Sequence, residues 1–387
     1  MIGMSAVIFI PDDTAKTGYP QPLMLQSVMG APLLAWLANA LFDSGVGRFF
    51  LVCHDRYVEA ARACLPAEAE VMTTMDSDPA DLLHVFLSTA EDAEHTITVV
   101  TGPAVYLPQL APQAAGRFPR VYGVSREELM QALDEHFSFA RFLLDNGSPM
   151  NEEQAMYSVA SPAELPEIAG LLQRNRLLAL ARTGVEIYDA SSCYVEPSVR
   201  VAPGARLLPG TMLRGKTVIG EEAVIGPWSV IDDSVIGARA VVNASQVRDS
   251  RVGQDAVVGP YASVRGGCEL GRSVRAGSFV ELKNARLGEN TQVPHLAYLG
   301  DTEASANCNF GCGVATANFD RVQKHETVVG EGAFIGCNTA LIAPLQVGSG
   351  AYIGAGSTIT EDVPAQALGI ARARQSNKKE WAAKHKK

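Results

Sequence analysis

The chain has little basic character. Its 387 residues carry 32 Lys and Arg against 42 Asp and Glu, a formal net charge of -10. Phosphate backbones are bound by clustered Lys and Arg, so the balance argues against a nucleic-acid surface for the chain as a whole. Long hydrophobic runs are also missing. The longest, such as Phe49 to Cys53, are strand-length, and no charged start leads into an apolar signal segment. These absences predict a cytoplasmic protein with no membrane partner. Cysteine is sparse and unpatterned: the seven, at 53, 64, 193, 268, 308, 312 and 337, form no even framework, which predicts reduced thiols. Cys308 and Cys312 stand closest, but a metal would need two more ligands and none follows at finger-like spacing.

What is present divides at about residue 184. Before it, short apolar runs alternate with helical patterns: Ala6 to Ile10, Pro32 to Ser44, Arg48 to Cys53, Tyr57 to Cys64, Glu70 to Thr73, Pro79 to Thr89 and Thr96 to Thr101. This rhythm predicts an α/β domain with a doubly wound parallel sheet covered on both faces. Pro32 opens one helix, where a missing N–H costs nothing, and Gly45 closes it. From Glu164 to Arg182, apolar residues recur on one helical face between Pro162 and Gly184, predicting a connecting helix.

Beyond Val185 the period becomes six. Ile219-Gly220, Ile225-Gly226, Val252-Gly253, Val258-Gly259, Val329-Gly330, Ile335-Gly336, Val347-Gly348 and Ile353-Gly354 place an aliphatic residue beside a small one, several of them six apart. Hexapeptide repeats mark a parallel β-helix, with three hexads making a triangular coil of about 18 residues. The aliphatic residue points inward and its small neighbour permits a close corner. A β-sandwich would need hairpin turns, and no Asn-Gly or Asp-Gly signal separates these runs.

Gly259 to Arg265, Phe279 to Gly288, His295 to Asp301, Asn318-Phe319-Asp320, Lys324 and Ile342-Ala343-Pro344 resemble the acetyltransferase half of the bifunctional N-acetylglucosamine-1-phosphate uridyltransferase/glucosamine-1-phosphate acetyltransferases. The resemblance runs from about Val185 to Lys387. It implies a left-handed β-helix, a homotrimer, and acetyl-CoA-dependent N-acetylation of glucosamine 1-phosphate or a close amino-sugar phosphate for cell-envelope precursor synthesis. It makes His295 the general base, since a neutral imidazole suits removal of a proton from the attacking amine. Arg265, Lys283 and Lys324 fall where the family holds the sugar phosphate, with the Tyr298 hydroxyl nearby; Arg suits a forked grip and Lys a point charge. Asn309 and Asn318 match positions that hold sugar hydroxyls and amine, although asparagine also stacks at β-helix corners, and Glu281 is expected to orient the sugar or the histidine. Acetyl-CoA is expected between coils at Cys312, Cys337 and Ala355, with Arg372 near its phosphates. Cys312 and Cys337 replace the family's usual small Ala or Ser, and Phe319 replaces a tyrosine, which removes one hydroxyl contact.

The organisation expected is therefore 1-183 as a sugar-nucleotidyltransferase-like domain ending in a linker helix, 184-374 as the acetyltransferase β-helix, and 375-387 as a basic tail. The first domain departs from the family. Its phosphate loop reads Ile8-Phe9-Ile10-Pro11-Asp12-Asp13-Thr14-Ala15-Lys16-Thr17, with two glycines missing and two carboxylates where a polyanion would sit. At the fourth strand Thr101-Gly102-Pro103 lacks the family's magnesium aspartate, so Mg2+ and uridyl transfer are not expected. The alternatives are an enzyme that keeps both activities, acetylation of a nucleotide-linked amino sugar, or a non-catalytic trimeric sugar-nucleotide-binding protein. The tail, Asn377 to Lys387, is either a solubilising end or a cover for the cofactor of a neighbouring subunit.

Overall fold

A computed structural model describes residues 4–74, 79–90, 95–110, 120–134, 139–150 and 155–385. Lys386 and Lys387 of the basic tail lie outside them. The chain divides into two compact units: Met1–Thr183 with Tyr194–Val199, and Gly184–Cys193 with Arg200–Lys387.

The first unit is built on a six-stranded sheet in the spatial order Glu70–Thr74, Arg48–Cys53, Ser5–Ile10, Thr96–Val100, Val121–Ser125, Ser148–Met150. The first four strands are parallel; the fifth runs antiparallel to both its neighbours, so the sixth again points with the first four. Period-two patterning sorts side chains to opposite faces. Ala6, Ile8, Ile10, Phe49 and Leu51 pack with helix Leu33–Phe42 on one face. Val7, Phe50, Val52, Ile97 and Val99 pack with helix Ala80–Ser88 on the other. The sheet is thus doubly covered, as the strand and helix rhythm requires. Helix Leu33–Phe42 starts one residue after Pro32, which is its N-cap, and Gly45 takes φ +104° just past its end. The connecting helix runs Leu165–Arg182.

The second unit is a parallel β-helix. Arg200 pairs with Val218, Val218 with Val235, and Ser263 with Glu281, each one coil on. Inward positions form continuous aliphatic columns such as Val264, Leu282 and Leu299, all fully buried. Glycine is required where coils approach closely. A Cβ on Gly336 would sit 2.5 Å from the Ala355 amide nitrogen, and one on Gly311 2.6 Å from that of Cys337. One coil is longer than the others. Asn309 pairs with Phe334 whereas Phe334 pairs with Tyr352, and the surplus residues leave the prism around Phe319 to Lys324, which form an antiparallel bridge with each other.

Candidate active site

Register places four of the expected residues in one column. Strand Gln292–His295 pairs with Arg275–Ser278 so that Ser278 faces His295. Continuing the same register, Gln292 to Asn309, Asn309 to Phe334 and Phe334 to Tyr352, puts Cys312, Cys337 and Ala355 on the three following coils at the histidine's position. All four are exposed. Asn309 lies on the same rung as Cys312, and the Arg372 Cδ is 3.7 Å from where a Cβ on Gly356, next to Ala355, would lie. The chain turns immediately after the imidazole: Leu296 has φ +43°, a conformation that costs an L-residue about 1–2 kcal/mol, and its N–H donates to the Ser278 carbonyl at 2.9 Å.

Around that corner lies a cationic face. Glu281 is in register with Tyr298, and Arg265 with Lys283 and then Gly300. Arg265 forms an ion pair with Glu281, the carboxylate expected to orient the sugar or the histidine. Lys283 and Lys324 approach each other. The Lys324 ammonium, as hydrogen-bond neighbour and as charge, holds the Lys283 pKa below its usual value, with desolvation and Arg265 adding to the effect and Asp301 opposing it. Three cations thus gather with two carboxylates, Glu281 committed to Arg265 and Asp301 near Lys283, leaving net positive charge for an anion. Gly300 is buried beneath this group: a Cβ there would strike the Tyr298 hydroxyl and lie 2.9 Å from Asn318 Nδ2.

Asn318 is buried and donates to Asp301, whose other oxygen accepts from Asn284 Nδ2 at 2.6 Å. Asp320 closes the excursion that carries Lys324. Its Oδ1 accepts from the amides of Val322 and Gln323 at 2.7 and 2.8 Å, and its Oδ2 meets His325 Nε2 at 2.7 Å. The Gln323 amide first, then His325 and Val322, hold its carboxyl well below the usual range. The His325 amide returns to the Asn318 carbonyl at 2.8 Å. Sequence reading gave Asp301, Asn284, Asp320 and His325 no role. The first three lie within quoted motifs, but His325 follows Lys324 with no periodic signal.

Two expectations follow. Gly277→Ala would drive a Cβ into the Pro294 carbonyl next to His295; forcing the coils apart is expected to cost about 1–3 kcal/mol, read as a fall in denaturant midpoint. The lysine pair predicts a pH dependence. Lys283's folded pKa lies below its unfolded value, so the folded chain holds fewer protons near that pH and stability rises as pH rises through it. A bound dianion restores the proton. Affinity for inorganic phosphate, followed by calorimetry, should therefore fall as pH rises through the lowered pKa, and with Lys324→Met that fall should move to higher pH.

The bacterial transferase hexapeptide family (six repeats) matches residues 326–361. The bifunctional protein GlmU of Clostridium perfringens is 42% identical over 240 residues, 62% of this chain and 53% of that protein. This chain is similar to GlmU. The GlmU of Brevibacillus brevis is 44% identical over 221 residues, 57% of this chain and 48% of the relative. The chain therefore spans about half the length of the GlmU proteins it matches. A Francisella novicida UDP-N-acetylglucosamine acyltransferase structure shares 17% identity, with a TM-score of 0.37, covering 48% of this chain and 66% of that one.

Among the described residues, no helix is long and apolar enough to cross a membrane.

Proposed function

We propose that this chain is an acetyl-CoA-dependent N-acetyltransferase whose acceptor is glucosamine 1-phosphate or a close amino-sugar phosphate. One observation carries the reading: an exposed histidine at a coil corner, with small exposed residues in register on one side and Arg265, Lys283 and Lys324 on the other. A sugar phosphate anchored by the cations would present its amine toward the corner. His295 would take a proton from the ammonium; the freed nitrogen would bond to the thioester carbonyl carbon as the C–S bond breaks, and the second proton that this nitrogen gives up on becoming an amide would pass to the departing thiolate. Acetyl-CoA supplies the activated acyl group. The small side chains of Cys312, Cys337 and Ala355, each after a close-packed glycine, leave backbone open to it, and Arg372 stands at the column's far end.

The same reading makes the first unit inactive in uridyl transfer. Asp12 accepts from Thr14 Oγ1 at 2.7 Å and pairs with Arg56, while Asp13 accepts from the Leu23 amide at 2.9 Å. Both carboxylates hold their own loop. At the fourth strand Pro103, after Gly102, stands where the resemblance expects the magnesium aspartate and offers no carboxylate. Lys16 is exposed. A homotrimer is part of the proposal; the exposed Trp228, Tyr261, Phe279 and Leu296, with Tyr261 and Phe279 stacked at 5.2 Å, offer apolar surface for a neighbour.

The test is release of free CoA thiol with glucosamine 1-phosphate, beside pyrophosphate release from UTP and N-acetylglucosamine 1-phosphate with magnesium. Turnover in the first and none in the second is expected. Comparable rates in both would mean that the first unit retains its activity, and none in the first would end the acetyltransferase reading.

A further inference from the structure

Five of the seven cysteines are buried. Burial pushes the Cys64 thiol up to about 12, and those of Cys193, Cys268 and Cys308 upward as well. Cys312 and Cys337 alone are exposed. They follow the paired Phe310 and Ile335 on successive coils, and the hydrogen bonds on either side, Gly311 N–H to the Ile335 carbonyl and Asn338 N–H to the Cys312 carbonyl, are both 2.7 Å. The Cys337 sulfur would be 2.9 Å from a Cβ on Gly311, so it leans over the coil that carries Cys312. Neighbouring strands lie about 4.7–4.9 Å apart, within the span of about 4.4–6.8 Å that disulfide-linked Cα atoms cover.

We propose that Cys312 and Cys337 form a thiol–disulfide exchange site that reacts with the disulfide of a pantetheine-type thiol, such as oxidised CoA, and closes into a bond across the two coils. One cysteine thiolate attacks a sulfur of the small disulfide; its S–S bond breaks, one CoA leaves with the electron pair and is protonated, and the other remains as a mixed disulfide. The second cysteine then attacks the protein-bound sulfur and releases the second CoA. Two protein thiols are oxidised, one disulfide is reduced, and two CoA thiols are formed. The choice of oxidant rests on the acetyl-CoA groove proposed above; the pairing of the thiols does not. The closed bond would lie across the groove and stop acetyl transfer until a dithiol reductant reopens it.

Full-length protein incubated with oxidised CoA or oxidised glutathione, then alkylated and analysed by intact mass and peptide mapping, tests this. Wild type should lose two hydrogens in a Cys312–Cys337 cross-link, with loss of acetyl transfer that dithiothreitol reverses. Cys337→Ser should stop at one mixed disulfide on Cys312, and Cys312→Ser/Cys337→Ser should remain unmodified. Two separate mixed disulfides on wild type, or no reaction where the alkylating reagent labels both thiols, would overturn the proposal. Cross-linking from oxidised CoA should outpace that from oxidised glutathione. Equal rates, with the cross-link still formed, would remove the acetyl-CoA groove and leave the thiol pair standing.

Discussion

His295→Ala is expected to lower kcat for acetyl transfer to glucosamine 1-phosphate by about 10²–10⁴-fold, the usual contribution of a positioned general base. The imidazole is exposed at the end of its strand, and the backbone around it is held by Ser278 pairing, which the substitution leaves intact. Stability should change by less than about 0.5 kcal/mol, as for other surface replacements. Because the amine can reach solvent, raising pH should recover part of the lost rate by deprotonating the acceptor without help. Equal rates in wild type and variant would remove the base assignment.

Arg265→Met is expected to weaken acceptor binding more than Lys283→Met does. Loss of one charge-assisted contact costs about 1.5–3 kcal/mol, or about 10- to 150-fold in KM. Removing Arg265 does more, since it leaves the Glu281 carboxylate without its ion-pair partner beside the phosphate site. Removing Lys283 instead relieves the repulsion that lowers its own pKa and leaves Lys324 in place. Arg265→Met/Glu281→Gln should therefore bind the acceptor more tightly than Arg265→Met alone, while the KM for acetyl-CoA stays unchanged in all three. If the two single variants are equal and the double gives no recovery, the anion is not held on this face.

Much of the architecture could be read from sequence because it depends on local periods. Alternation in Ser5–Ile10 and Arg48–Cys53 sorts side chains to two faces, and the aliphatic-Gly pairs fix which residues point into the prism. The order of coils around the site could not be read that way. Coil length varies, as the pairings of Ser278 with His295, Gln292 with Asn309 and Asn309 with Phe334 show, so column membership is a sum over several turns and not a local property. The repeat also gives no sign of Asp320 gripping His325, because that contact lies in residues that leave the repeat. Glu281 differs for another reason. A motif gives a residue's position but not its partner, and the register with Arg265 one coil earlier supplies that partner. Asp12 and Asp13 looked like obstacles to a polyanion, and their bonds to Thr14, Arg56 and Leu23 give them a structural use in the loop.

A crystal structure of the protein soaked with glucosamine 1-phosphate and CoA tests the central claim most directly. The account predicts the sugar amine within about 3 Å of a His295 ring nitrogen, the hydrogen-bond reach a general base needs, with the phosphate among Arg265, Lys283 and Lys324. A sugar phosphate bound elsewhere, or an amine turned away from His295 while the phosphate sits among those cations, would contradict it.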